Sequence, residues 1–227
     1  MVNWSVMINI EEYICSLTLI LKERFGTRLS YVGLQGSYLR GEANDDSDID
    51  IMVVIDQLSV TDLMEYRSII QSMDYYDKSC GFICSKEDLR NWNPLEICNL
   101  LHSTKDYYGR LCDLIPDYSE KDIENFVKVS VNNLYHEICH RYIYGDDNKN
   151  RSNLPSAYKT VFFILQNLYY LQTHQFIAAK RELLSLLEGK NHTVLEMSMI
   201  MNQGDAWEFD ESFELLFSWC QETLKSI

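Results

Sequence analysis

The sequence predicts an α+β protein: a small mixed β-sheet with flanking helices over residues 1–115, followed by an α-helical bundle over residues 116–227. Three observations carry this expectation. Helix-period and strand-period apolar patterns alternate through the first half, as they do where helices cover a sheet. Pro116 and the polar stretch Asp117 to Lys121 interrupt the pattern where a domain boundary belongs. Beyond them every apolar pattern is helical, which suits a bundle.

Each element follows from its local pattern. Ile10, Ile14, Leu17, Leu21 and Phe25 recur at helical spacing over 9–25, and Gly26 ends that helix. Leu29 to Leu34 reads as a strand running into a Gly36-Ser37 turn. Ile49 to Ile55 is the next strand, too continuously apolar to leave one face in water. Thr61 to Met73 reads as a second helix and Cys80 to Cys84 as a short strand. In the second half, Asp122 to Tyr144 is one helix stopped by Gly145, and Gly145 to Asn153 reads as a polar loop. Leu154-Pro155 then opens a helix with proline in a permitted first-turn position. That helix, to about His174, is apolar nearly all round and is expected to be the central buried element. Ala178 to Leu187 and Phe213 to Leu224 supply two more.

Composition narrows the function. The chain has 227 residues and a formal net charge of −14. Long nucleic acid is not an expected partner, because binding phosphate backbones needs a basic footprint. A small, cationic acceptor is easier to reconcile with this charge. Seven cysteines lie scattered without Cys-x-x-Cys spacing, which suits a reducing cytoplasm and small core hydrophobes more than a disulfide scaffold. No apolar run reaches membrane-spanning length, and no basic region precedes an apolar stretch at the N-terminus, so neither a membrane nor a secretory signal is expected. No feature decides between a monomer and a homodimer whose copies complete one site.

The most informative segment is residues 34–55, where Gly36-Ser37 precedes Asp48-Ile49-Asp50 by a short loop. A strand places residues i and i+2 on one face, so Asp48 and Asp50 are expected to point the same way. Side-by-side carboxylates repel unless a cation sits between them. Mg²⁺ prefers such oxygen ligands and keeps positions open for water and substrate phosphates. The Gly-Ser turn offers backbone N–H groups and a hydroxyl to phosphate oxygens, and glycine lets backbone approach a phosphate closely. Arg40 in the intervening loop is a candidate phosphate contact, whereas Glu42, Asp45 and Asp46 read as solvated.

Gly36-Ser37, the loop with Arg40 and Gly41, and Ser47-Asp48-x-Asp50 on an apolar strand resemble the signature of the DNA-polymerase-β-like nucleotidyltransferase superfamily. Size and helical tail resemble its small bacterial aminoglycoside and lincosamide nucleotidyltransferases. The resemblance implies a nucleoside triphosphate donor, Mg²⁺ on Asp48 and Asp50, and transfer of a nucleoside monophosphate to a hydroxyl of a small molecule. AMP from ATP is the expected donor chemistry, and an aminoglycoside- or lincosamide-like antibiotic is one such acceptor; the residues choose neither base nor acceptor. It also implies a helical C-terminal domain beside the catalytic one.

One part of the pattern is missing. Members commonly carry a third acid on a later strand, and Cys80-Gly81-Phe82-Ile83-Cys84 has none, with Gly81 about where it would stand. Asp77, Glu87 or Asp88 flanking that strand, or Glu137 of the helical half acting as base, are the candidate replacements. The alternative is a catalytically weak or inactive binding protein of the same fold, antitoxin-like. Lys159, in an otherwise apolar helix, is a candidate phosphate contact, against the plainer reading of a snorkelling lysine. The tyrosines and Trp92 read mostly as core. His136-Glu137-Ile138-Cys139-His140 matches the zinc-protease motif His-Glu-x-x-His. Both histidines fall opposite the apolar stripe Ile123, Val127, Val131, Leu134, Ile138, and the motif reads as a solvated face.

Overall fold

A computed structural model describes residues 8–227; the N-terminal residues on which the secretory-signal expectation partly rests lie outside them. Contacts divide the chain into two compact units, one running to Asp117 and the other Tyr118–Ile227.

The first unit is built on a four-stranded sheet. Helix α1 (Ile10–Phe25) starts where the Asn9 side chain accepts from the Glu12 N–H and carries acids in its first turn and Lys22 and Arg24 in its last, an order that suits the helix dipole. There follow β1 (Leu29–Leu34), α2 (Gly36–Arg40), β2 (Ile49–Ile55), α3 (Val60–Ser72), β3 (Ser79–Ser85), α4 (Lys86–Arg90), α5 (Pro94–His102) and β4 (Lys105–Tyr108). The strand order is β3-β2-β1-β4. Strand β1 runs antiparallel to β2 and β4, and β2 runs parallel to β3, so the sheet is mixed as expected.

Strand β2 is interior, and six of its seven residues are buried; Asp50 is the exception. Its continuous apolar sequence is explained by cover on both faces. On one face Val32, Leu34, Ile49, Ile51 and Val53 pack with Ile14, Leu17 and Leu21 of α1 and Ile69 of α3. On the other, Tyr31, Met52 and Val54 pack with Cys84, Leu89, Leu111 and Leu114. Period-two alternation puts Asp50 on this second face, with Met52 and Val54.

The second unit is helical: α6 (Glu120–Tyr144), α7 (Asp147–Thr173), α8 (Lys180–Leu186), α9 (Gly189–Gln203) and α10 (Phe209–Ser226). Helix α6 packs on α7 and α10, and α9 packs on the same two. Helix α7 is the central element, with ten buried residues. Tyr158, fully buried on it, is paired at both its polar groups: the Tyr158 hydroxyl donates to the Ser212 carbonyl at 2.7 Å, and the Ser198 hydroxyl donates to the Tyr158 carbonyl at 2.9 Å.

Several elements differ from the sequence expectation. The polar stretch after Gly145 is no loop beyond Asp146: the Asp146 side chain caps the Lys149 N–H and α7 starts at Asp147, leaving Pro155 inside the helix. Its first turns are mostly exposed, so they carry loop-like composition on a helical backbone. Helices α4, α5 and α9 and strand β4 were not evident from the pattern. Three of the seven cysteines are buried (Cys84, Cys98, Cys220), and Cys15, Cys80 and Cys112 are exposed, so core filling accounts for fewer than expected. Tyr142 is exposed and does not belong to the core. No helix among the described residues is long and apolar enough to cross a membrane.

Candidate functional site

The end of β1 and the start of β2 build one site. The Gln35 N–H donates to the Asp50 carbonyl at 2.8 Å, so the chain leaves β1 still paired with β2. Gly36 follows at φ +70°, and a Cβ there would lie 1.8 Å from Asp50 Oδ2. Only glycine satisfies both the backbone angle and that contact. The Gly36-Ser37 turn is in fact the first turn of the short helix α2, whose initial N–H groups have no acceptor within the helix and suit an anion. Gly41, at φ +67°, closes α2, and the Glu42 N–H donates to the Ser37 carbonyl at 2.9 Å.

The loop into β2 is held by its own polar groups. The Asn44 N–H donates to Ser47 Oγ at 2.9 Å, and the Ser47 N–H donates to the Asn44 carbonyl at 3.0 Å. Lys78 Nζ donates to the Asp45 carbonyl. Asp48 emerges exposed and Asp50 half-buried. Burial first, and then the charge of Asp48, push the Asp50 carboxyl above the usual carboxylate range, while the Cys80 thiol and Arg40 pull the other way. A half-buried carboxylate whose ionisation is opposed by a neighbouring negative charge suits a divalent cation.

Arg40 Nε donates to Glu42 Oε2 at 3.0 Å, with both side chains largely buried. Glu42 is therefore an ion-pair partner and not the solvated acid expected, whereas Asp45 and Asp46 are exposed as read.

The third-acid position is resolved by register. On β3, Cys80 lies opposite Asp50 and Gly81 opposite Ile51. Partnered residues share a face, so Cys80, and not Gly81, faces the same way as Asp50. The Cys80 thiol donates to the Asp50 carboxylate. Gly81 has φ +142°, and a Cβ there would meet the Ile51 carbonyl oxygen at 2.0 Å, so no acid fits at that position. Asp88 is committed to a capping box with Ser85, and Asp77 and Glu87 are exposed.

In the helical unit, Glu137 forms an ion pair with Arg141 at 2.6 Å on α6, and Lys159 is exposed on α7. The rings of His136 and His140 lie 6.0 Å apart on an exposed face. Among the described residues no group of three or more His, Cys, Asp or Glu is arranged to hold a metal ion, so the His-Glu-x-x-His match has no third ligand.

Sequence reading missed two neighbours of this pair. Gln35 Nε2 donates to Thr104 Oγ1 at 2.8 Å, and Thr104 Oγ1 donates to the Leu100 carbonyl at 2.6 Å. Cys80, Asp50, Gln35 and Thr104 thus form one polar row across the sheet. Gln35 directly precedes the Gly-Ser pair and was findable from its position; Thr104 carries no local signal.

Residues 14–98 match the family described as nucleotidyltransferase domain. The chain is 41% identical over 54 residues to protein adenylyltransferase MntA of Thermococcus cleftensis, covering 23% of this chain and 52% of that protein, about half its length. It is 35% identical over 75 residues to a putative protein adenylyltransferase of Methanocaldococcus jannaschii, covering 32% of this chain and 70% of that one. The fold is similar to that of spectinomycin adenyltransferase AAD(9) from Enterococcus faecialis, solved with ATP and spectinomycin. The TM-score is 0.58 at 15% identity, over 95% of this chain and 99% of that one.

Proposed function

The chain belongs to the nucleotidyltransferase family, and we propose that it transfers a nucleoside monophosphate, AMP from ATP, to a hydroxyl of a small molecule. The observation that carries this reading is the contact of Gly36 with the Asp50 carboxylate, which joins a phosphate-binding turn to a cation-binding pair. The backbone of Gly36 and Ser37, with the Ser37 hydroxyl, holds the triphosphate tail. Arg40, on the same short helix, adds positive charge beside it. Asp48 and Asp50 hold a magnesium ion, which when bound supplies positive charge to the phosphates and the departing pyrophosphate. The acceptor hydroxyl attacks the α-phosphorus in line and pyrophosphate leaves, so one P–O bond forms as another breaks.

A small acceptor is supported by the shared fold of the helical unit with an enzyme named for spectinomycin, and by a net charge of −14 that favours cations. A second reading, transfer to a protein hydroxyl, is favoured by the names of the two sequence relatives. Incubation with α-labelled ATP, Mg²⁺, a panel of aminoglycosides and spectinomycin, and a cell extract separates them. Label on a small molecule supports the first reading and label on a protein band the second. Loss of label in Asp48→Ala and Asp50→Ala is expected in either case. Wild-type protein that labels nothing and binds no nucleotide overturns both.

A further inference from the structure

Gln35 stands beside Asp50 in the sheet, between the phosphate-binding turn and β4. Adjacent strands are about 4.8 Å apart, so Gln35 is the residue next to Asp50 on the β1 side of the sheet. Its orientation is determined by a relay. The Thr104 hydroxyl spends its single proton on the Leu100 carbonyl at 2.6 Å, so toward Gln35 it offers only lone pairs. Gln35 must therefore present Nε2 to Thr104, which it does at 2.8 Å, and Oε1 turns the other way. One row further along the sheet, the side chains are unsuited to a new hydroxyl. Gly33 has no side chain, and the Tyr31 hydroxyl lies over it, donating to Asp106 at 2.6 Å.

We propose that Gln35 recognises the sugar of the nucleotide, its Oε1 accepting a hydrogen bond from a ribose hydroxyl next to the Asp48–Asp50 pair. This inference rests on the nucleotide-binding reading above. The sugar is joined to the α-phosphorus through one oxygen and one methylene. A phosphorus held between the Gly36 turn and Asp50 therefore brings a hydroxyl-bearing ring close to this row. A carboxamide locked by Thr104 reads that ring without having to be ordered on binding. Gln35 is thus a specificity-determining residue and Thr104 a positioning residue.

The test is calorimetric titration of α,β-methylene ATP and its 2′-deoxy and 3′-deoxy forms, with Mg²⁺, into wild type, Gln35→Met, Thr104→Val and Asp50→Ala. Wild type is expected to bind the ribonucleotide about five-fold tighter than one of the deoxy forms, the effect of one hydrogen bond. Gln35→Met should lose that margin on the ribonucleotide alone, and Thr104→Val should lose part of it. Equal weakening toward all three nucleotides in Gln35→Met, or unchanged affinities, overturns the proposal while leaving the nucleotide site standing. Wild type that discriminates neither deoxy form also overturns it. Wild type that binds no nucleotide, or Asp50→Ala that binds as wild type, overturns the underlying site reading and the proposal with it.

Discussion

Replacing Gly36 by alanine puts a carbon 1.8 Å from Asp50 Oδ2 and holds a non-glycine residue at φ +70°. Gly36→Ala is expected to cut label transfer by about 100-fold or more, because small displacements of positioning groups cost that much. Circular dichroism should show the same helix content. Asp50→Asn should separate stability from function. Burial and the neighbouring Asp48 charge raise the Asp50 pKa in the metal-free fold. A carboxylate whose folded pKa is raised destabilises the fold above its unfolded value, near 4, and not below it. Asp50→Asn should therefore raise Tm at pH 7, lose that gain as pH falls through about 4, and abolish transfer. Cys80→Asp places a third carboxylate opposite Asp50, and calorimetry should show tighter divalent-cation binding than wild type. The closeness of the Gly36 turn and of Asp48 to Asp50 was legible in the sequence because the relation is local: a turn, a loop and a strand of known period. The neighbour across the sheet was not. Strand register is set by packing of both partners, and a slip of one residue moves a side chain to the other face, which is how Gly81 was taken for the position that Cys80 holds.

Among the elements, α3 shows how a cap and an ion pair share one carboxylate. Asp62 forms a capping box with Ser59 and accepts from Arg28 at 2.7 Å. Arg28 and the Ser59 groups hold its carboxyl well below the usual range. A depressed folded pKa contributes stability that is present above the unfolded value and is lost as pH falls toward the folded one. Asp62→Asn should lower Tm at pH 7, and the gap to wild type should close in acid, as followed by thermal melts across pH. Elements with a strong apolar stripe, α1, β2 and α6, were readable to within a residue or two. The others failed for identifiable reasons. Strand β4, Lys105–Tyr108, lies at the sheet edge and has no fully buried residue, so its sequence carries no strand alternation. The first turns of α7 are wet on most sides, and their Asp and Asn content imitated a loop.

For the molecule as a whole, 34 acids against 20 bases give a self-repelling surface at neutral pH. Tm should rise as NaCl increases from about 20 to about 200 mM, since the screening length shortens to under about 10 Å over that range. A cationic acceptor should bind more weakly over the same range, and an uncharged one should not, so the salt dependence of acceptor affinity distinguishes their charge. Fold class was readable at this scale because alternation before Pro116 and helices after it are properties of long stretches, and errors at single boundaries average out.

The bond from Gln35 to the Asp50 carbonyl and the packing of Gly36 on the Asp50 carboxylate weld the end of β1, the Gly36 turn and the start of β2, the proposed donor side, into one part. Adaptation to a different acceptor then has to come from surfaces outside that weld. Libraries that randomise residues away from 35–50 should yield altered acceptor choice with ATP use intact, whereas libraries inside it should yield mainly dead clones.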